Sequence, residues 1–219
     1  MASAKETVIH LIRDKLTPTM NARTAWYAEV CKLVQAEACV YVWGTGQMGQ
    51  WAAHLLRVMG SRSISFVDNR AACWGESIEG IPCIAPAQLK EAKDPLVFIG
   101  VGMSGTAVAA QLAEMKIRRV IDMPDFYLNT LFEDLRCADP AELAVRVGSC
   151  FDVLADDASR DVLFAKLSGF LDFEPGFGRS KYYADICRGD QYFQDDIIHF
   201  DKDSVLVDCG AYTGDTMQD

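Results

Sequence analysis

The stretch from residue 40 to residue 49 constrains the fold of this chain more than any other. An apolar run, Val-Tyr-Val-Trp, ends on the turn Gly44-Thr45-Gly46-Gln47-Met48-Gly49, and a helical pattern over Gln50–Val58 follows at once. In such a Gly-x-Gly-x-x-Gly turn, Gly44 permits the tight turn, Gly46 lets a phosphate approach the backbone, and Gly49 lets the helix pack close to the strand. The pattern predicts a strand, a phosphate-cradling loop and a helix whose N-terminus can meet an anion.

A second apolar run, Ile64 to Val67, ends in the polar pair Asp68 and Asn69. Asp68 lies 24 residues after Gly44, which is near the spacing of a carboxylate that holds ribose hydroxyls in dinucleotide-binding folds. We therefore expect a nucleotide site that includes Asp68 and Asn69. The alternative is a glycine turn that only reverses the chain.

A second glycine-rich turn follows the apolar run Leu96–Ile99 and contains Gly100 and Gly102. A helical pattern and a further apolar run, Arg119 to Asp122, come next. Strands that alternate with helices and read as continuous apolar runs indicate an α/β, Rossmann-like parallel sheet, with a strand order of about 2-1-3-4. In that order the glycine turns after strands one and three line one crevice, where ligands of open parallel sheets bind.

Helices are predicted on both sides of this sheet. Residues 5–16 and 24–35 read as an N-terminal pair of amphipathic helices joined by Thr17-Pro18-Thr19. Asp139-Pro140 and Asp156-Asp157 are typical helix starts and predict a C-terminal helical linker. The predicted division is residues 1–37 for the N-terminal helices, 38–127 for the nucleotide-binding-type domain, 128–190 for the helical linker and 191–219 for the start of a further domain.

Composition excludes several functions. Residues 150–219 carry 6 Lys+Arg against 15 Asp+Glu, and no basic stripe appears anywhere, so a nucleic-acid partner is not expected. No apolar run approaches ~18 residues and the N-terminus has no apolar signal region, which predicts no membrane span and a cytoplasmic location. The eight cysteines form no Cys-x-x-Cys pair, so we expect reduced thiols and no metal site. A small-molecule nucleotide is the expected partner, and a homo-oligomeric state is possible.

The last stretch repeats the arrangement of a strand that runs into a glycine turn. The run Ser204-Val205-Leu206-Val207 leads to Asp208, and Gly210 and Gly214 follow within six residues. The two glycines would let backbone amides approach a ligand. Asp208 could meet an ammonium group, such as that of the methionine part of S-adenosylmethionine (SAM).

These residues resemble the first motif of the FkbM family of SAM-dependent methyltransferases. The resemblance rests on Val207-Asp208-Cys209-Gly210-Ala211 and Gly214-Asp215-Thr216, with Gln191-Tyr192-Phe193 upstream. It implies SAM as cofactor, with Asp208, Gly210, Ala211, Gly214 and Asp215 around it, and a second Rossmann-like sheet of ~seven strands that begins here. Since only the first of those strands is present, we expect a truncated methyltransferase domain that is inactive in this form.

The preceding domain resembles two further kinds of unit. It is similar to the dinucleotide-fold unit that often precedes such methyltransferases and to the nucleotide-sugar-binding N-terminal domains of some sugar acyltransferases. The residues that carry the second likeness are Gly44-Thr45-Gly46, Val67-Asp68 and Gly80-Ile81-Pro82. The resemblance implies a nucleotide, NAD(P) or nucleotide-sugar ligand in this domain.

The sequence is also compatible with two other functional hypotheses. An NAD(P)-dependent oxidoreductase would fit the first glycine turn, although none of the seven tyrosines has a lysine four residues on, as short-chain reductases require. A non-catalytic module would use a degenerate nucleotide fold for docking or dimerisation. No residue of the chain is assigned a catalytic role.

Overall fold

The structure, a computed structural model, describes residues 3–102, 104–123, 135, 137–173, 201 and 203–205. Within them, a six-stranded, mostly parallel sheet is flanked by helices. The helices are Ala4–Ala36 (α1), Gln47–Val58 (α2), Pro86–Leu89 (α3), Gly105–Glu114 (α4), Pro140–Val153 (α5) and Asp157–Leu171 (α6). The strands are Val40–Trp43 (β1), Ile64–Val67 (β2), Ser77–Ile78 (β3), Ile81–Ile84 (β4), Leu96–Ile99 (β5) and Arg119–Asp122 (β6).

The strand order is β3-β4-β2-β1-β5-β6, and it contains the predicted order of the four principal strands. Strand β1 pairs in parallel with β2 on one side and β5 on the other, and β5 pairs in parallel with β6. The carboxyl ends of β1, β2 and β5 therefore meet at one edge of the sheet, as the α/β prediction requires.

Two strands were not predicted. The segment Ile81–Ile84 forms β4 and pairs in parallel with β2. Strand β3 then adds to β4 as an antiparallel hairpin, whose turn places Gly80 at a φ of +76°. Pro82 lies within β4 and makes this strand hard to recognise in the sequence. A proline cannot donate a hydrogen bond to a neighbouring strand and usually marks the edge of a sheet or a break.

Both faces of the sheet are covered, as continuous apolar strands predict. All four residues of β2 and of β5 are buried. One face packs against α2 and the C-terminal half of α1, and its core includes Val42, Phe66 and Phe98. The other face packs against α3 and α4, and its core includes Trp43 and Ile99.

The prediction of two N-terminal helices is wrong. A single helix of 33 residues runs from Ala4 to Ala36 with Pro18 inside it. Its N-terminus has a complete capping box, in which Ser3 and Glu6 satisfy each other's backbone N–H groups. Pro18 removes one hydrogen bond, but buried residues continue on one face from Leu16 through Met20, so tertiary packing holds the helix together across the proline.

Helix α1 contributes to two cores. Its N-terminal half packs with α5 and α6 around a separate apolar cluster that includes Val8, Ile12, Phe151 and Leu171. Its C-terminal half adds residues to the core of the sheet. The starts of α5 and α6 are capped as predicted, since the side chains of Asp139 and Asp156 accept hydrogen bonds from backbone N–H groups of the first turn.

Three negative findings hold for the described residues. None of their helices has the length and apolar character needed to cross a membrane. No three His, Cys, Asp or Glu side chains among them gather closely enough to hold a metal ion. The six cysteines in these ranges are free thiols, of which Cys83 is buried while Cys137 and Cys150 are exposed.

Candidate functional site

A cleft of about 340 Å³ opens at the carboxyl ends of β1, β2 and β5. The first glycine turn, the residues that follow β2 and the first turns of α4 form its walls. Its lining residues are Trp43, Gly44, Thr45, Gly46, Asp68, Asn69, Arg70, Val101, Ser104, Ala107, Val108 and Gln111. The fold therefore brings the first glycine turn and the Asp68 segment into one concave surface.

Three glycines allow the chain to make this turn. Gly44 has a φ of +107°, a conformation that disfavours other residues, and a Cβ there would lie 2.9 Å from the carbonyl oxygen of Gly100. A Cβ on Gly49 would overlap the carbonyl group of Gly44. A Cβ on Gly100 would lie 2.8 Å from the Cα of Gly49. The first turn, α2 and the end of β5 thus pack backbone against backbone.

Gly46 differs from these three glycines. Among the residues that the structure describes, apart from the chain neighbours of Gly46, no atom lies within 4 Å of the position that a Cβ on Gly46 would take, and the φ of Gly46, −71°, is ordinary. It is the N-cap residue of α2, and as a glycine it has no side chain that could cap the first N–H groups of the helix. The turn therefore presents open space beside a helix N-terminus, whose partial positive charge favours an anion.

The carboxylate of Asp68 is the most densely bonded group at the cleft. The backbone N–H and the hydroxyl of Thr45 donate to its Oδ2 at 3.1 and 2.7 Å. The backbone N–H and the Nε of Arg70 donate to its Oδ1 at 2.9 and 3.1 Å, and the Arg70 Nη2 donates to Oδ2 at 3.0 Å. The same Nη2 also donates to the hydroxyl of Thr45. These contacts tie the end of β2 to the glycine turn after β1.

This environment fixes the charge of Asp68, which is only 6% exposed. Burial raises the pKa of its carboxyl, but hydrogen bonds from the Arg70 side chain and backbone and from Thr45 outweigh burial, so the pKa lies well below its usual range. The pairing with Asp68 raises the pKa of the Arg70 guanidinium in turn. The pair is ionised at neutral pH, and its two charges offset each other.

Two further contacts shape the walls of the cleft. Asn69 and Gln111 exchange two amide hydrogen bonds of 3.0 Å, which join the segment after β2 to α4. The indole N–H of Trp74 donates to the backbone carbonyl of Asp68 at 2.7 Å and holds the chain after β2 in place. Both walls of the cleft are therefore linked by side-chain hydrogen bonds.

The structure brings only part of the predicted site together. Gly44, Thr45, Gly46, Asp68 and Asn69 line the cleft. The predicted residues Gln47, Met48, Gly49, Gly100 and Gly102 are not among the lining residues; Gly49 and Gly100 lie beneath the turn, where they allow close packing. Asp208, Gly210, Ala211, Gly214 and Asp215 lie outside the described residues.

Sequence reasoning missed Arg70 and Gln111. Arg70 carried an available signal, because an arginine just after the acid that ends the second strand is a known feature of phosphate-binding variants of this fold. Gln111 carried none, since its role depends on how α4 lies across the sheet.

No family model matches the chain, and no curated protein matches it. Among solved structures, the chain is similar to a crystal structure of methyltransferase FkbM from Methylobacillus flagellatus KT, with a TM-score of 0.53 and 19% sequence identity. The match covers 99% of this chain and 60% of that one, so the chain spans 60% of the length of the protein it resembles. At this identity the likeness shows the fold alone, a mostly parallel sheet flanked by helices.

Proposed function

We propose that this chain is part of an FkbM-like SAM-dependent methyltransferase and that its Rossmann-like unit binds a phosphate-bearing nucleotide or nucleotide-sugar. The observation that carries the nucleotide part is the open, uncapped glycine turn at the converging ends of β1, β2 and β5. In open parallel sheets, this is the place where phosphate-bearing ligands bind.

The local chemistry supports a phosphate at this turn. No atom of a described residue outside the immediate chain neighbours lies within 4 Å of the Cβ position of Gly46, and the first N–H groups of α2 have no partner within the helix. Arg70 adds a positive charge next to the turn through its contact with Thr45. A phosphate placed there would receive hydrogen bonds from backbone N–H groups and a charge-assisted bond from a guanidinium group.

The methyltransferase part rests on two independent likenesses. The sequence around Asp208 and Gly210 resembles the first SAM motif of FkbM enzymes, and the fold of the chain is similar to that of a structure described as an FkbM methyltransferase. In this proposal Asp208, Gly210, Ala211, Gly214 and Asp215 would hold SAM, and the cofactor would supply the methyl group. No catalytic residue of this chain is assigned.

The nucleotide proposal is tested by thermal denaturation of the 219-residue chain with NAD, NADP, SAM and UDP-sugars. Ligand at 100 times its Kd stabilises a protein by about 2.7 kcal/mol, so binding at millimolar ligand raises the Tm measurably. Gly46→Val should remove the shift, while Ala113→Val, an exposed change on α4 that does not line the cleft, should preserve it. If none of the ligands shifts the Tm, the result favours the hypothesis of a non-catalytic module that serves docking or dimerisation.

The methyltransferase proposal needs its own measurement. If the reading frame of the gene continues past codon 219, the longer protein should bind SAM in calorimetry. Asp208→Ala should weaken that binding by at least about tenfold, the loss expected from removing one charge-assisted hydrogen bond. A longer protein that binds no SAM would contradict this part and leave the nucleotide proposal standing.

A further inference from the structure

A pair of side-chain amides joins the two walls of the cleft at its rim. Resting on the nucleotide-binding function proposed above, we infer that Asn69 and Gln111 form a gate at the end of the cleft that receives the base of a nucleotide. The gate is closed in this structure. A ligand has to open it to place a base there, whereas a sugar phosphate without a base does not.

The geometry of the pair is that of a closed amide dimer. The Nδ2 of Asn69 donates to the Oε1 of Gln111, and the Nε2 of Gln111 donates to the Oδ1 of Asn69, both at 3.0 Å. The two residues are 42 positions apart in the chain, and both line the cleft, one after β2 and the other on α4. The pair therefore bridges the cleft from one wall to the other.

Exposure separates this pair from the deeper lining of the cleft. Trp43 and Thr45 are 2% and 5% exposed, whereas the two hydrogen bonds between Asn69 and Gln111 are exposed to solvent. An exposed hydrogen bond between neutral amides contributes little net free energy, because water replaces either partner when the bond breaks. The pair is therefore a contact that can open while the fold stays intact.

The wall formed by α4 leads from the phosphate end of the cleft to the gate. Since β1 and β5 are neighbours, α4 begins next to the first glycine turn, with Ser104 as its N-cap. Ala107, Val108 and Gln111 follow on the same face, and seven residues of helix span about 10 Å. The apolar side chains of this face suit a ring. A nucleotide with its phosphate at Gly46 would place its base along this face, towards the gate.

A closed gate lowers the apparent affinity of every ligand that needs the open state. The apparent Kd rises by the inverse of the open fraction. Two exposed amide hydrogen bonds favour the closed state by a factor of about 3 to 10. A nucleotide should lose affinity by this factor, and a ligand that ends at the ribose should lose none.

Ribose 5-phosphate, AMP and UMP test the gate, because both nucleotides consist of ribose 5-phosphate with a base added. In calorimetry of the full 219-residue chain, Gln111→Ala and Asn69→Ala should each bind the nucleotides about 3- to 10-fold more tightly than the wild type does. The double variant should bind them no more tightly than either single variant, since each change alone opens the gate. The affinity for ribose 5-phosphate should not rise in any variant.

Two further variants serve as controls. The exchange variant Asn69→Gln/Gln111→Asn keeps both amides and the combined length of the two side chains, so it should restore the wild-type affinity. Glu114→Gln changes an exposed residue of α4 that does not line the cleft, and it should bind every ligand as the wild type does.

Weaker nucleotide binding by Gln111→Ala and Asn69→Ala would overturn the inference, since the two amides would then hold the base. Nucleotide affinities equal to those of Glu114→Gln, or equal gains for ribose 5-phosphate, would overturn it as well. In each of these cases nucleotide binding persists and the proposed function stands. If no nucleotide and no UDP-sugar binds the wild type or the gate variants, the proposed nucleotide function itself fails.

Discussion

The carbonyl group of Gly44 fills the space that a Cβ on Gly49 would need. The first residue of the glycine turn and the third residue of α2 are therefore in direct backbone contact. Gly100, the residue after β5, packs against Gly49 at the same place. This arrangement separates the two roles of the turn. Gly49 allows close packing, whereas Gly46 borders the cleft, and no described residue beyond its chain neighbours lies within 4 Å of its Cβ position.

The contrast between these two glycines predicts that substitution by alanine lowers the free energy of unfolding by different amounts at the two positions. Gly49→Ala should destabilise the protein by about 1–3 kcal/mol or more, because rigid backbone atoms must move to admit the methyl group. Gly46→Ala should cost about 1 kcal/mol at most, because it creates no steric overlap and loses only the preference of an N-cap position for glycine over alanine. Urea denaturation of both variants measures this. Equal stabilities would show that the contact between Gly44 and Gly49 does not constrain the fold.

Asp68 should make stability depend on pH in the acid range. Its pKa in the folded protein lies below that of an unfolded aspartate, about 3.9, so the carboxylate stabilises the fold above that pH. This contribution decreases as the pH falls below about 4 and approaches the folded pKa. Asp68→Asn should lower the free energy of unfolding at pH 7 by about 1–3 kcal/mol and flatten its decrease in acid.

Urea denaturation between pH 2.5 and pH 7 tests this prediction. Glu114→Gln is the control variant, because Glu114 is an exposed acid on α4 that does not line the cleft. If Asp68→Asn and wild type lose stability in parallel below pH 4, the hydrogen bonds from Thr45 and Arg70 do not stabilise the charged form.

Local sequence signals sufficed for the four principal strands and for the first glycine turn. Each of these strands is a short apolar run that ends on glycine or aspartate, and the parallel order follows from the helices between them. Strand β4 was not predicted, because it is defined by its pairing with β2, which local sequence does not reveal. Its Pro82 is also a residue that disfavours strands. The same limit applies to the cleft, where Gln111 meets Asn69 only through the packing of α4.

The course of α1 shows how tertiary packing overrides a local signal. Pro18 suggested a break, yet Leu16 before it and Met20 after it are both buried on one continuous face. This spacing of four residues was visible in the sequence and would have favoured one helix over two. Arg70 was also visible, but its role depends on a hydrogen bond to Thr45, which is distant in sequence.

Because α1 runs through Pro18 without a break, Pro18→Ala should stabilise the protein. Proline in a helix interior costs about 3 kcal/mol relative to alanine, and the restriction it imposes on the unfolded chain returns up to about 1 kcal/mol, so we expect a gain of roughly 2 kcal/mol. Thr17→Ala, at an exposed neighbouring position, should gain only about 0.5 kcal/mol through helix propensity. Thermal denaturation followed by circular dichroism compares them. No gain from Pro18→Ala would favour two separate helices.

Arg23 should be one of the most important side chains for joining α1 to the C-terminal helices. It is 5% exposed, and its Nη2 donates to the backbone carbonyl of Phe170 at 3.0 Å, within the last turn of α6. Its guanidinium carbon lies 4.5 Å from the centre of the Phe170 ring and 4.2 Å from that of Phe173. A cation here stabilises the negative end of the helix and two aromatic faces together.

Arg23→Ala should therefore lower the free energy of unfolding by about 2–4 kcal/mol, since it removes a charged hydrogen bond and two cation–π contacts. Arg23→Lys should recover part of this loss, because it keeps the charge but not the planar group that stacks between the rings. Arg13→Ala, an exposed change on the same helix, should have little effect. Urea denaturation ranks the three variants, and a stability of Arg23→Ala equal to that of Arg13→Ala would show that the aromatic residues alone hold α6 against α1.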